Sequence, residues 1–147
     1  MNIYGVKENK KQYIDLLLLA DEDENMIDKY LERGQMFVLD DDGVKGVCVV
    51  TDEGDGLLEI KNIATAPQSQ RKGYGRKMIN FVEEKFRYSY DFLQVGTGDS
   101  PLTVPFYESC GFLRSHVKKN FFVDNYPQPI FECGVQLVDM VYLKKKL

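Results

Sequence analysis

Two glycines one residue apart, set among basic side chains, carry the clearest chemistry in the chain: Gln70-Arg71-Lys72-Gly73-Tyr74-Gly75, with Arg76 next. An apolar, β-rich run, Leu57 to Thr65, comes before them and is broken by Pro67. Tyr74, Met78, Ile79, Val82 and Phe86 then recur at helical spacing. Amides at the start of a helix have no partner inside it, and the helix dipole makes that end positive. Glycine removes the side chain where a ligand must touch backbone. Strand, loop, glycine turn and helix therefore suit a phosphate or pyrophosphate. The same residues also read as an ordinary helix start with a tight turn, and taken alone they leave both open. A Walker loop, G-x-x-x-x-G-K-[ST], is absent, and a G-x-G-x-x-G fingerprint fails because Met78 stands at its third glycine.

Few other residues could move a proton. Glu59 is a charged side chain inside an apolar strand, where it is either a base or a solvent-facing neighbour of Lys61. His116 is the only histidine and reads as a second candidate base or as a structural residue. Tyr107 carries a phenol with an ordinary pKa of about 10, a candidate proton donor, or else it is a core tyrosine. Asp99, Asp124 and Glu132 could hold an ammonium group. The acidic clusters Asp21 to Glu24 and Asp40 to Asp42 read as solvated loops and a helix start, or as a field drawing in a cationic amine. Phe121, Phe122, Tyr126 and Phe131 either wall a pocket or pack in the core. No metal site is expected, since one histidine and three scattered cysteines make no ligand set.

The elements that must position these groups follow from pattern. Ile3 to Val6 suits a strand, Tyr13 to Ala20 a helix, and Asp21 to Arg33 a second helix ended by Gly34. Met36 to Leu39 and Val44 to Val50 form a hairpin turning at Asp42-Gly43. Leu57 to Thr65 is the strand into the glycine turn, and Phe92 to Val95 is a short buried strand. Gly96 to Pro101 is a loop, Leu102 to Ser109 a helix ended at Gly111, and Phe112 to Val117 a strand. Asn120 to Pro129 is a loop, and Phe131 to Leu143 supplies the last strand, with Glu132 and Gly134 interrupting its start. The class is α+β.

With 147 residues, one domain, residues 1–147, is expected, and a chain this long buries roughly two-thirds of its unfolded surface. Cys48, Cys110 and Cys133 are odd in number and far apart, which suits reduced thiols in the cytoplasm. The longest leucine run, Leu16 to Leu19, is too short to span a bilayer. A formal net charge of -4 argues against a general nucleic-acid binder. The basic run Lys144 to Lys146 reads as a solvated tail.

Two blocks together resemble a known family. Gln70-Arg71-Lys72-Gly73-Tyr74-Gly75 matches [QR]-x-x-G-x-[GA], and Phe106-Tyr107-Glu108-Ser109-Cys110-Gly111-Phe112 resembles [LF]-Y-x-x-x-G-F, in the order and spacing of the GNAT N-acetyltransferases. The resemblance covers the chain from about Val44 onward. It implies a mixed, mostly antiparallel, splayed sheet flanked by helices. It also implies acetyl-coenzyme A as acyl donor and a primary amine as acceptor, a small molecule by default, with a protein lysine or N-terminus or an aminoglycoside-like polyamine as alternatives. A homodimer is left open. With the charge, hydropathy and ligand residues above, no metal, membrane or nucleic-acid partner is expected. Residues Gln70, Arg71, Lys72, Gly73, Tyr74, Gly75 and Arg76 would hold the pyrophosphate. Ile63 would offer its N–H to the thioester carbonyl, and Ile63, Ala64 and Thr65 would pair with the pantetheine arm. Ser100 stands where many members place an asparagine on coenzyme A. Tyr107 takes the position of the general acid, and Glu59 that of the base in the histone-acetylating branch, other members using a water relay. A non-catalytic acyl-coenzyme A sensor, or a module binding peptides at a sheet edge, are the alternatives.

Overall fold

Unbroken apolar runs in the central strands, Met36 to Leu39 and Val47 to Val50, dictate a sheet covered on both faces. Met36, Val38, Val47 and Val49 pack to one side, and Phe37, Leu39, Cys48 and Val50 to the other, all of them buried. The structure, a computed structural model, describes residues 1–147. In chain order the elements are β1 (Asn2–Val6), α1 (Ile14–Ala20), α2 (Glu24–Asp28), β2 (Gln35–Asp40), β3 (Val44–Asp52), β4 (Leu57–Thr65), α3 (Tyr74–Phe86), β5 (Phe92–Gly98), α4 (Val104–Ser109), β6 (Leu113–Lys118), α5 (Phe121–Asn125), β7 (Phe131–Glu132), β8 (Val135–Gln136) and β9 (Met140–Lys146). Seven strands form one sheet in the order β1-β2-β3-β4-β5-β9-β6, and β7-β8 is a separate hairpin. Every pairing is antiparallel except β4 with β5. No helix is long and apolar enough to cross a membrane.

Helix α3 lies on one face. Its Met78, Ile79, Val82 and Phe86 bury against Leu58, Ile60, Leu93 and Val95 in the larger core, each such side chain contributing about 1.5–3 kcal/mol. On the other face, α1, α2 and the turns after α2 bring Leu17, Ile27, Tyr30 and Leu31 against Val38, Val47 and Val49.

Three expected elements are drawn differently. The helix over Asp21 to Arg33 shrinks to α2, because Asp23 turns extended and its carboxylate accepts from the Asn25 N–H at 2.8 Å, capping a start at Glu24. Past Asp28, the buried Lys10 ammonium donates to the carbonyls of Leu31 (2.9 Å) and Gly34 (2.8 Å) and holds the chain in turns. The last strand begins only at Met140. Cys133 and Gly134 take φ of 51° and 75°, the left-handed pair of a tight hairpin, so Phe131 to Gln136 folds on itself. Inside the expected loop Asn120 to Pro129 lies α5.

Two smaller corrections bear on the site. Gly96, Thr97 and Gly98 continue β5 rather than starting a loop. Lys144 to Lys146 belong to β9, and Lys145 is no tail residue: its Nζ lies 2.8 Å from the Glu83 carboxylate and donates to the Cys110 carbonyl at 2.7 Å.

Candidate functional site

The site is built by a defect in β4. Val49 pairs with Asn62 and Val50 with Ile60, so Lys61 is an extra residue, a β-bulge. A bulge resets which way side chains point. Before it, Leu58 and Ile60 face the α3 core; after it, Ile63 does, and Asn62 and Ala64 turn to the α1 side. Glu59 and Asn62, three residues apart, thereby share one face. The parallel pairing of β4 with β5 ends at Ile60–Val95. Beyond that point the two strands part, and a cleft of about 410 Å³ opens between them.

The edge of β4 inside that opening is free. The Ala66 N–H donates to the Lys45 carbonyl of the β3 side at 2.8 Å. Backbone groups alternate sides along a strand, so the Ile63 and Thr65 amides point away from β3, into the gap. The Thr65 carbonyl, on that same side, accepts from Gln70 Nε2 at 3.3 Å. The free edge therefore runs from the cleft to the glycine turn.

At that turn, none of the six consecutive amides from Arg71 to Arg76 finds a backbone acceptor; the first helical bond runs from the Lys77 N–H to the Gly73 carbonyl, 3.0 Å. Gly73 caps α3 at φ 86°, ψ 9°, and a β-carbon there would meet nothing within 4 Å. Arg71 also takes a left-handed φ of 63°. Successive amides in such conformations form an anion-binding concavity. Arg71 and Lys72 are exposed beside it. Two neighbouring side chains are committed elsewhere: Arg76 donates to the Ser109 carbonyl (3.2 Å) and Oγ (2.8 Å), and Tyr74 Oη donates to the Asp41 carboxylate at 2.7 Å. Gly75 has a packing reason, since a β-carbon would come within 3.2 Å of the Phe106 ring. Phe106 and Arg76 thus clamp α4, and Tyr107 with it, to the head of α3.

Tyr107 is buried, edge-on to Phe106 and Phe112, and lines the cleft together with Glu59 and Ile63. Burial pushes its phenol well above the ordinary value, with smaller contributions from Cys48, Cys110 and Glu132, so it stays protonated. Glu59 does not face solvent: it is 6% exposed, lies 2.8 Å from Lys61 Nζ and accepts from Gln94 Nε2. His116 is exposed, stacks on Tyr142 at 4.6 Å and does not line the cleft. Ser100 is buried, and its Oγ accepts from the Leu102 N–H at 3.1 Å, capping the turn into α4. Of the four aromatic residues Phe121, Phe122, Tyr126 and Phe131, the first three line the cleft and Phe131 is exposed. Asp99 pairs with Arg114 at 3.4 Å, Asp124 is exposed, and Glu132 lines the cleft.

A match to the acetyltransferase (GNAT) domain model spans residues 32–114. The uncharacterized N-acetyltransferase YvbK of Bacillus subtilis is 35% identical over 140 residues, 93% of this chain and 90% of its own length. The chain belongs to the GNAT acetyltransferase family. Solved GNAT structures superpose along its whole length. A GNAT family acetyltransferase from Elizabethkingia anophelis with acetyl-CoA bound gives a TM-score of 0.94 at 35% identity, covering 99% of this chain and 97% of that one. An IAA acetyltransferase from Bacillus cereus gives 0.92 at 35% identity and 99% coverage of both. The splayed α+β sheet implied by the two sequence blocks is therefore the observed one.

The GNAT cleft also contains a residue absent from the sequence candidates as an individual. Asp21, between α1 and α2, accepts from Tyr30 Oη (3.1 Å) and Tyr126 Oη (2.7 Å), and Tyr30 Oη in turn accepts from Asn62 Nδ2 at 3.1 Å. Burial raises the Asp21 carboxyl above its ordinary value, against the two tyrosine hydrogen bonds. In sequence it stood only as the first member of an acidic run; Tyr126 lies 105 residues away, and no local pattern joins them.

Proposed function

We propose that this GNAT protein is an N-acetyltransferase that uses acetyl-coenzyme A to acetylate a primary amine, by direct attack with both substrates bound. The observation that carries the reading is the run of unpaired amides from Arg71 to Arg76, joined by the free edge of β4 to the cleft holding Tyr107 and Glu59. Those amides fit a pyrophosphate: they are donors without acceptors at the positive end of a helix, and open space lies in front of Gly73. Arg71 and Lys72 add charge from side chains, whereas Tyr74, Gly75 and Arg76 act through their N–H groups. Gln70 steadies the turn through Thr65. Ile63, Ala64 and Thr65 present a strand edge to the pantetheine arm. Ser100 closes the loop before α4. The protein supplies every positive partner, so no metal is required, and no cluster of three or more His, Cys, Asp or Glu side chains is arranged to hold one.

Acetyl-coenzyme A supplies a thioester-activated acetyl group. The Ile63 N–H stabilises negative charge developing on the carbonyl oxygen, an interaction strengthened by the enclosed cleft. Tyr107 donates its proton to the departing sulfur, and burial keeps the phenol protonated in the resting site. Glu59 takes the proton that the amine must lose, directly or through water, while Lys61 and Gln94 fix its orientation. The whole of residues 1–147 works as one domain, and its free thiols suit the reducing cytoplasm.

The test is a mass-spectrometric screen of a small-amine library with acetyl-coenzyme A, alongside thermal unfolding with and without that ligand. Acetylated product and ligand-induced stabilisation are expected. Stabilisation without any product would identify a sensor instead, and absence of both would remove the cradle assignment.

A further inference from the structure

We propose that Asp21 and Asn62 form an ammonium-binding subsite in the acceptor half of the cleft, which selects amines carrying a second positive charge, such as aliphatic diamines. The inference rests on the acetyl-transfer reading and adds the class of acceptor.

Three observations converge. The protein has three buried side-chain atoms without a hydrogen-bond partner, and all three are acceptors: Asn62 Oδ1, Gln94 Oε1 and Glu132 Oε2. Asn62 and Glu132 line the cleft, and Gln94 is bonded to Glu59, which lines it. The orientation of the Asn62 amide is fixed, because its nitrogen donates to the Leu17 carbonyl (2.9 Å) and Tyr30 Oη (3.1 Å). Its oxygen is left without a partner, on a cleft-lining side chain only 2% exposed. A group complementary to unpaired acceptors is one with several donors and no acceptor, which describes an alkylammonium.

Charge points the same way. The cleft is lined by Asp21, Glu22, Glu59 and Glu132 against Lys61 and Lys118. Lys61 is already paired with Glu59, and Lys118 balances one more carboxylate, so the cleft keeps an acidic surplus. Tyr30, Phe122 and Tyr126 wall that end, the last two stacked at 5.7 Å, and aromatic faces favour a cation.

Chemistry decides which nitrogen Asp21 holds. Glu59 serves as base for the attacking nitrogen, whereas each oxygen of Asp21 already accepts from a tyrosine hydroxyl, which favours its ionised form as a fixed counter-charge. Asp21 therefore suits an ammonium that does not react. Glu59 lies on the same strand face as Asn62, at the end nearer the splay. A diamine laid along the cleft would place one nitrogen by Asp21 and Asn62 and the other by Glu59. Tyr30 and Tyr126 have a positioning role: their hydroxyls hold Asp21 facing inward.

The test is calorimetric titration of 1,4-diaminobutane, butylamine and 4-aminobutanoate at neutral pH, into the protein alone and into the protein saturated with coenzyme A, where no turnover occurs. The diamine is expected to bind about tenfold or more tighter than butylamine, with 4-aminobutanoate weakest, as for a desolvated charge pair. Asp21→Asn is expected to collapse that ratio. Its affinity for coenzyme A, read in the same titrations, reports that it is folded. Equal or tighter binding of butylamine or 4-aminobutanoate by the wild type overturns the proposal, as does failure of the diamine to bind, and so does an unchanged ratio in Asp21→Asn. Loss of coenzyme A binding in the wild type would instead undo the acetyl-transfer reading, and the titrations without coenzyme A would still report on the subsite.

Discussion

Gly73 sits in the left-handed region with open space where a β-carbon would lie, so two substitutions there separate backbone strain from ligand exclusion. Alanine adds only a methyl group. A non-glycine residue at such a φ costs about 1–2 kcal/mol, and the added carbon meets no protein atom within 4 Å. For a domain of this size that amounts to a fall of roughly 2–8 °C in Tm. Glutamate brings the same strain plus a carboxylate at the mouth of six unpaired amides. Acetyl-coenzyme A at a hundredfold excess over its Kd stabilises a folded protein by about 2.7 kcal/mol, a rise of roughly 5–10 °C for the wild type. The assay is thermal unfolding of wild type, Gly73→Ala and Gly73→Glu, each with and without ligand. Both variants are expected to melt a few degrees lower alone. The ligand-induced rise should shrink in alanine and vanish in glutamate. A glutamate variant that kept the full rise would show that the pyrophosphate is held elsewhere, and the assignment of the α3 head would be abandoned.

Tyr107→Phe keeps the edge-on ring packing but removes the proton, so kcat should fall by about 10²-fold or more with little change in KM for acetyl-coenzyme A; steady-state kinetics showing equal turnover would exclude Tyr107 from the reaction. Because burial raises the Tyr107 pKa, its protonated, active form persists to higher pH than that of an ordinary tyrosine, and the wild-type rate profile should show no decline below about pH 10. Glu59→Gln should flatten or displace the rise of rate with pH, and an unchanged profile would assign deprotonation to a water-mediated route. Cys48, with its thiol pushed up to about 12 by burial, and buried Cys110 should resist a thiol reagent at mildly alkaline pH while exposed Cys133 reacts; three fast thiols in the native protein would contradict the packing around Tyr107.

Much of the fold was legible because it is written in local patterns. The apolar runs of β2 to β4, the helical spacing of Met78, Val82 and Phe86, and the turns at Asp42-Gly43 and Gly111 each depend on residues close in the chain. The cradle was legible for the same reason: glycine turn and helix start adjoin in sequence, so the unpaired amides follow from the order of elements. Where local signals competed, the reading failed. The apolar spacing of Met26, Ile27, Tyr30 and Leu31 suggested one long helix, but Asp23 as cap and the distant Lys10 ammonium cut it to a turn and a half. Cys133-Gly134 carried a hairpin signal that the surrounding β-formers masked.

The sequence by itself determined that a strand, a glycine turn and a helix would meet in that order, and that a tyrosine block would follow at the family's spacing. Only the tertiary structure decided what the cleft presents. The extra residue at Lys61 rotates Asn62 onto the face of Glu59, and the parting of β4 from β5 beyond Ile60 and Val95 frees the Ile63 amide. Folding also brings Tyr126 to Asp21 across most of the chain. The physical reason is that a side chain's direction depends on strand register, and its charge on how much water surrounds it. Both are properties of neighbours supplied by folding, not of residues adjacent in the chain.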